Sequence, residues 1–269
     1  MSDDSPARHD PPDDEPVDAA PRPLTVLVTG SAGAVGRPVC KALRERGHTV
    51  RGLDRDESPT ADEAIVANLA DREAVAVAVR GVDAVVHLAA QPNDAPFLEE
   101  LLPPNVVGLY HVMDAARAEG VARVVLASSV QAVGGIHRSP SEDWPVTLAE
   151  GTSPRDHYAL TKAWLEQMGE MYARCYGMSV ICARIGWMPR SPATVERMVQ
   201  RGCEAHYVSP RDLGRFFSRA IEAEAIAFAI LFATGPGTDQ PLYDLTPGRQ
   251  LVGYEPRDRF PEGLPFGWP

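Results

Sequence analysis

Tyr158 and Lys162 stand four residues apart in the run Tyr158-Ala159-Leu160-Thr161-Lys162, where a helical pattern begins. In a helix that spacing puts a phenol and an ammonium on one face. A phenol titrates near 10 and is a poor base at neutral pH. A lysine within a few ångströms favours the phenolate, and the pair can then take a proton from a hydroxyl. Ser129 follows the apolar run 122–127 and sits at its tip. Its hydroxyl can bond the oxygen that loses the proton, an interaction that tightens as charge develops. Tyrosine and lysine at this spacing also arise by chance, and a solvated pair on a helix face is the plain alternative. What decides between them is whether the chain also offers a place for an electron acceptor.

The stretch 25–39, TVLVTGSAGAVGRPV, offers one. Val26-Leu27-Val28 reads as a buried parallel strand, and Gly30, Gly33 and Gly36 follow at three-residue spacing. Such glycines permit a tight turn, let backbone approach a pyrophosphate, and let helix pack on strand. A helix starting near Ala34-Val35 would aim its amides at the phosphates. The next strand ends at Asp54, eighteen residues beyond Gly36. An acid there accepts hydrogen bonds from the adenosine ribose and repels a 2′-phosphate, which predicts NAD in preference to NADP. The neighbouring Arg55 is the feature that would favour the phosphorylated cofactor. Glycine turn, strand-end serine, tyrosine and lysine thus fall in an order that lets a nicotinamide take hydride from the carbon whose hydroxyl is deprotonated by Tyr158.

Strand and helix patterns alternate around these residues. Strand patterns occur at 26–28, 49–53, 64–67, 83–88, 122–127, 179–185 and 228–232. Helical patterns cover 71–79, 96–120 (disturbed near Pro103-Pro104), 156–176, 193–202, 211–225 and 246–253. This rhythm predicts an α/β fold, a Rossmann-type doubly wound parallel sheet with a small C-terminal substrate lid. Ligands in such sheets lie beyond the strands' carboxyl ends, which puts Gly30–Gly36, Asp54, Asn68, Ala89, Ser129 and Ile185 on one rim. We expect three parts: an acidic, Pro-rich disordered tail over 1–22, a dinucleotide-binding core over 23–185, and a lid over 186–269 integrated with the core. The long connection 130–156 reads as a functional loop.

A formal charge of -11 over 269 residues argues against nucleic acid or an anionic membrane surface as partner. Cys40, Cys175, Cys182 and Cys203 form no metal or disulfide spacing and read as reduced thiols, and the seven histidines form no ligand-spaced pair, so no metal is expected. The chain shows neither a spanning segment nor a signal peptide and reads as cytoplasmic. His87 reads as a packed or hydrogen-bonded strand-end residue, and Trp144, Trp164 and Trp268 as covers for apolar surface.

The motifs TGSAGAVG, Asp54, Asn68-Leu69, HLAA at 87–90, Asn105-Val106-Val107-Gly108, ASS at 127–129, YALTK and Ala183-Arg184-Ile185-Gly186 resemble those of extended short-chain dehydrogenases/reductases of the NAD-dependent epimerase/dehydratase family, over roughly 24–255. The resemblance implies that Asn68 and Leu69 border the adenine. It implies that Leu88, Ala89, Ala90, Asn105 and Ile185 contact the cofactor together with Tyr158 and Lys162. It also implies a homodimer through the 97–120 and 156–176 helices, with Met168, Met171 and Tyr172 at a helix interface. Within the family the chain is most similar to uronate dehydrogenases, through Pro96-Phe97, ARIGW, Arg197-Met198 and YVSPRDLGRFF. Only about two dozen residues separate Arg184 from Val208, where enzymes of nucleotide sugars carry a longer insertion, so a small free substrate is implied. Arg197 would grip a substrate carboxylate. The chain departs from uronate dehydrogenases at Pro92, at Val130-Gln131 and at Trp187, where those carry a serine, an Asn-His pair and a serine. The implied activity is oxidation of a sugar or sugar-acid hydroxyl, a hexuronate to its lactone being one form. The alternatives are an epimerase or dehydratase that retains NAD, and a sensor that binds NAD(P) without turnover.

Overall fold

Strands buried on both faces of a sheet read as unbroken apolar runs, and three such runs form the middle of this molecule. In the computed structural model, which describes residues 22–136, 145–237, 241–264 and 266, seven parallel strands form one sheet. They are β1 (Thr25–Thr29), β2 (Thr49–Asp54), β3 (Glu63–Val66), β4 (Ala84–His87), β5 (Arg123–Ser129), β6 (Ser179–Ile185) and β7 (Phe228–Ala233). Their order is β3-β2-β1-β4-β5-β6-β7. The order reverses between β1 and β4, which pair in parallel from Val26 with Ala84 to Thr29 with His87. A crevice opens above such a reversal, where the connections leave in opposite directions. The expected doubly wound sheet is therefore present. The tail 1–21, Trp144 and Trp268 lie outside the described residues.

Helices cover both faces. On one, α1 (Gly36–Glu45) packs against α6 (Pro210–Glu222), burying Val39 and Leu43 with Leu213, Phe216 and Phe217. On the other, α2 (Arg72–Val79), α3 (Leu109–Ala118) and α4 (His157–Tyr176) bury Val75, Met113 and Leu165. Residues past 186 divide between core and rim. Strand β7 and helix α6 belong to the layers, whereas α5 (Pro192–Gln200) follows the rim segment after β6, and α7 (Thr246–Val252) packs beside β7.

Local chemistry sets the boundaries. Asp71 and Asp156 cap α2 and α4, their carboxylates accepting from Glu73 and Ala74 N–H and from Ala159 N–H. Gly177 ends α4 in the left-handed region, at φ 69°. One expected helix changes character. Residues Phe97–Gly108 form a wide π-helix containing Pro103 and Pro104, and α-helical geometry resumes only at Leu109. Two adjacent prolines supply no N–H donors and clash with carbonyls four residues back, which a wider turn relieves. Helix α1 starts at Gly36 rather than near Ala34, because residues 30–35 are spent on the glycine turn.

Phe216 is fully buried and meets Phe217 and Tyr254 edge-on, with ring centroids 5.5 Å and 5.0 Å away. Since Phe216 belongs to the core cluster that also holds Val125, Ile181 and Ala183 of the sheet and meets the C-terminal segment at Tyr254, Phe216→Ala should lower stability by about 3–5 kcal/mol. Urea unfolding monitored by tryptophan fluorescence should show this within a single transition.

Candidate active site

The glycine turn leaves β1 at Gly30, whose φ of 72° suits glycine and whose N–H donates to Leu53 O at 2.8 Å. A Cβ at Gly36 would lie 2.1 Å from Gly30 O, so only glycine lets the helix begin this close to the turn. No side chain caps α1, leaving its first amides to an outside acceptor. Asp54 takes part in building the loop: Oδ2 accepts from Ala32 N–H at 2.9 Å and Oδ1 from Arg55 N–H at 2.7 Å.

A cavity of about 500 Å³ lies over this turn. Gly30, Gly33, Ala34, Val35, Gly36, Asp54, Arg55, Asn68, Leu69, Leu88, Ala89 and Ala90 line it. The π-helix adds Glu99, Glu100, Pro103 and Pro104 to the lining. Asn105 lines neither this cavity nor the next. Its Oδ1 accepts from Gln91 N–H at 2.8 Å, and Nδ2 donates to Gln91 O at 3.1 Å and Thr161 Oγ1 at 3.0 Å. With its amide spent in this way, Asn105 braces the 89–92 strip from behind. His87 is a packed residue as expected: Nδ1 lies 2.8 Å from Thr29 Oγ1, and burial lowers its pKa to about 3, so the ring stays neutral.

A second cavity, of about 520 Å³, opens beyond the ends of β5 and β6. Ser129, Tyr158 and Lys162 line it, together with Pro92, Val130, Gln131, Trp187 and Arg197. Ile185 lines this cavity and not the first. The two cavities share Val35, Leu88, Ala90, Pro92 and Arg190, so they are two ends of one crevice.

Ser129 Oγ accepts from Gln131 N–H at 3.1 Å, which keeps its own proton for an oxygen in the cavity. Burial raises the pKa of Tyr158, and three neighbours modulate it: a hydrogen bond with Ser129 and the charge of Arg190 lower it, and Asp156 raises it. Lys162 Nζ lies 5.6 Å from the Tyr158 ring centroid and donates to Ala127 O at 2.7 Å. Burial depresses the Lys162 ammonium to about 8, while Glu166 one turn along α4 supports its charge.

Glu166 has no exposed surface. It accepts from Ser128 Oγ at 2.6 Å and from Arg184 Nε and Nη2 at 2.8 Å and 2.9 Å. Arg184 Nη2 also donates to Gly151 O at 3.1 Å. One ion pair thus joins α4, β5, β6 and the loop before α4.

The sequence reading missed Arg190, Arg201, Asn93, Asp94, Asp156 and Thr194, all of which line the second cavity. Arg190 follows the end of β6 by five residues, so the strand-end rule applied beyond Ile185 would have pointed to it. Arg201 carried the signal of its four-residue spacing from Arg197.

A parallel sheet with a glycine turn at its first strand end and a Ser–Tyr–Lys corner beside it defines a nucleotide-dependent oxidoreductase class. Residues 26–188 match the model of the NAD dependent epimerase/dehydratase family, and the chain belongs to that family. It is 32% identical over 247 residues to L-arabinose 1-dehydrogenase (NAD(P)(+)) of Haloferax volcanii, covering 87% of this chain and 96% of that one. Against uronate dehydrogenase of Pseudomonas syringae pv. tomato it is 31% identical over 211 residues, covering 77% and 73%. A crystal structure of a mutant uronate dehydrogenase from Agrobacterium tumefaciens complexed with NAD superposes with a TM-score of 0.74 at 26% identity, covering 87% of this chain and 84% of that one.

Breaking the Glu166–Arg184 pair on one side strands a buried guanidinium, so Glu166→Gln should destabilise the protein by about 3–5 kcal/mol. It should also move the high-pH limb of kcat/KM to lower pH, because Lys162 loses the anion that holds its proton. Glu166→Gln combined with Arg184→Met should recover stability yet keep the moved limb. An unmoved limb in both variants would leave Glu166 a structural residue only.

Proposed function

We propose that the protein is an NAD-dependent dehydrogenase that oxidises a hydroxyl of a small sugar or sugar acid, with Tyr158 as base. The observation that carries this reading is the single crevice in which a glycine-turn cavity and a Ser129–Tyr158–Lys162 corner share their walls. When bound, NAD supplies the hydride acceptor. Gly30, Gly33 and Gly36 would leave room for its diphosphate, Asp54 would hold its ribose, and Asn68 and Leu69 would border its adenine. Its family and its NAD-bound structural neighbour support this assignment.

At the reacting carbon one C–H and one O–H bond break and a C=O bond forms. The hydride leaves to the nicotinamide and the proton to Tyr158 Oη. Ser129 donates to the substrate oxygen as negative charge builds there. Lys162 puts a positive charge 5.6 Å from the Tyr158 ring centroid and would orient the cofactor's ribose, while Arg190 is the cation whose charge lowers the phenol's pKa. Arg197, whose Nη2 donates to Thr194 Oγ1 at 3.3 Å, faces the substrate's anionic end. Pro92, Val130, Gln131 and Trp187 shape the remaining wall.

The reading extends to assembly and compartment. Leu160 and Trp164 are four residues apart on α4, 51% and 49% exposed, and Tyr110 of α3 is 46% exposed. Apolar faces of this size support a homodimer through the π-helix, α3 and α4. All four cysteines are free thiols, and no helix among the described residues is long and apolar enough to cross a membrane, which supports a cytoplasmic setting.

Tyr158→Phe should reduce kcat by about a thousandfold or more while NAD binding, titrated by fluorescence, stays near wild type. Free NADH should accumulate in step with product, whereas an epimerase that retains its cofactor would show no net reduction. Trp164→Glu should convert the dimer to monomer in sedimentation velocity, and an unchanged sedimentation coefficient would remove the proposed interface.

A further inference from the structure

The second cavity holds more positive charge than one carboxylate requires. Arg190, Arg197 and Arg201 all line it. Arg197 lies in the last turn of α5 and Arg201 is the capping residue at its C-terminus, four residues on. That spacing puts both guanidiniums on one face, at the helix end that tolerates cations. Among the described residues, none of the three arginines pairs with a carboxylate, and Thr194 Oγ1 accepts from Arg197. Two acids share the cavity, but both are engaged at the start of α4. Asp156 Oδ1 accepts from Ala159 N–H at 2.7 Å, and Asp94 Oδ1 accepts from Tyr158 N–H at 3.3 Å with His157 Nδ1 4.0 Å away.

A carboxylate has two oxygens and is satisfied by one planar guanidinium fork. A phosphate monoester carries a charge of about −1.5 to −2 and three terminal oxygens, enough for two forks at once. Arg190 stands where the two cavities meet. That leaves the Arg197–Arg201 face as the part of the wall away from the glycine-turn cavity, which neither residue lines.

Resting on the dehydrogenase reading above, we propose that the preferred substrate is a sugar phosphate, its phosphate held between Arg197 and Arg201 while the hydroxyl to be oxidised lies at Tyr158 and Ser129. The anion then sits at the far end of the substrate from the reacting carbon.

The test uses the full-length protein with NAD and a panel of hexose and pentose phosphates, hexuronates and the parent neutral sugars, following absorbance of NADH. The expected result is a kcat/KM for one sugar phosphate at least about a hundredfold above its neutral parent and about tenfold above every uronate. Arg201→Ala should then raise KM for that phosphate by about tenfold or more, with little change in kcat and none in KM for NAD. Inorganic phosphate should inhibit competitively against the sugar and lose that effect in the same variant. Preference for a uronate or a neutral sugar overturns the proposal and leaves the dehydrogenase standing. No reduction of NAD by any member of the panel overturns the dehydrogenase reading and the proposal with it.

Discussion

The Glu166–Arg184 ion pair is the interaction on which the rest of the reacting corner depends. Taking two charges wholly out of water is expensive, and such pairs seldom add net stability. What this one supplies is position. Glu166 lies one helical turn beyond Lys162, Ser128 precedes Ser129, Arg184 precedes Ile185, and Gly151 belongs to the loop that delivers α4. Every one of those neighbours lines or leads to the second cavity. The pair works as a rivet between the α4 helix and the sheet, and its negative member also supports the charge of a buried ammonium.

The crevice above that rivet has two chemical characters at its ends. At the glycine turn the floor is backbone and small side chains and the rim carries acids, Asp54, Asp56, Glu99 and Glu100, while Thr29 and the neutral His87 hold the strand ends beneath. At the far end the wall is charged and bulky, with arginines beside Trp187 and Gln131. Nothing in the sheet changes between the two ends. The difference comes from the connections, which carry specificity over a shared scaffold.

Much of the fold could be read from the chain because its signals are local. Unbroken apolar runs marked the strands, Asp71 and Asp156 marked helix starts, and Gly177 marked a stop. The glycine turn and the Ser129–Tyr158–Lys162 set were legible for the same reason, being short patterns with fixed spacing. What was not legible depended on contacts between distant segments. Pro103-Pro104 announced a disturbance but not that the helix would widen, since widening is a response to packing. Asn105 looked like a ligand contact, and only the fold shows its amide consumed by Gln91 and Thr161. Arg190 sits in an irregular segment with no periodicity to flag it, and the buried Glu166 passed as one more polar residue on a helix. Helix α6 and strand β7 followed a break in rhythm that suggested a lid, yet both belong to the layered core.

Asp54 carries a consequence for how this protein could change. Its carboxylate closes the loop through Ala32 and Arg55 backbone amides, and the residue also lines the glycine-turn cavity where the proposed function seats a cofactor's ribose. On that proposal, coenzyme preference and loop architecture are one trait rather than two. A lineage drifting toward the phosphorylated coenzyme would gain nothing at first from the arginine already beside this acid. Losing the carboxylate would loosen the very turn that must grip either molecule. A compensating bond would have to appear in the loop beforehand, which makes the present preference hard to leave by single steps.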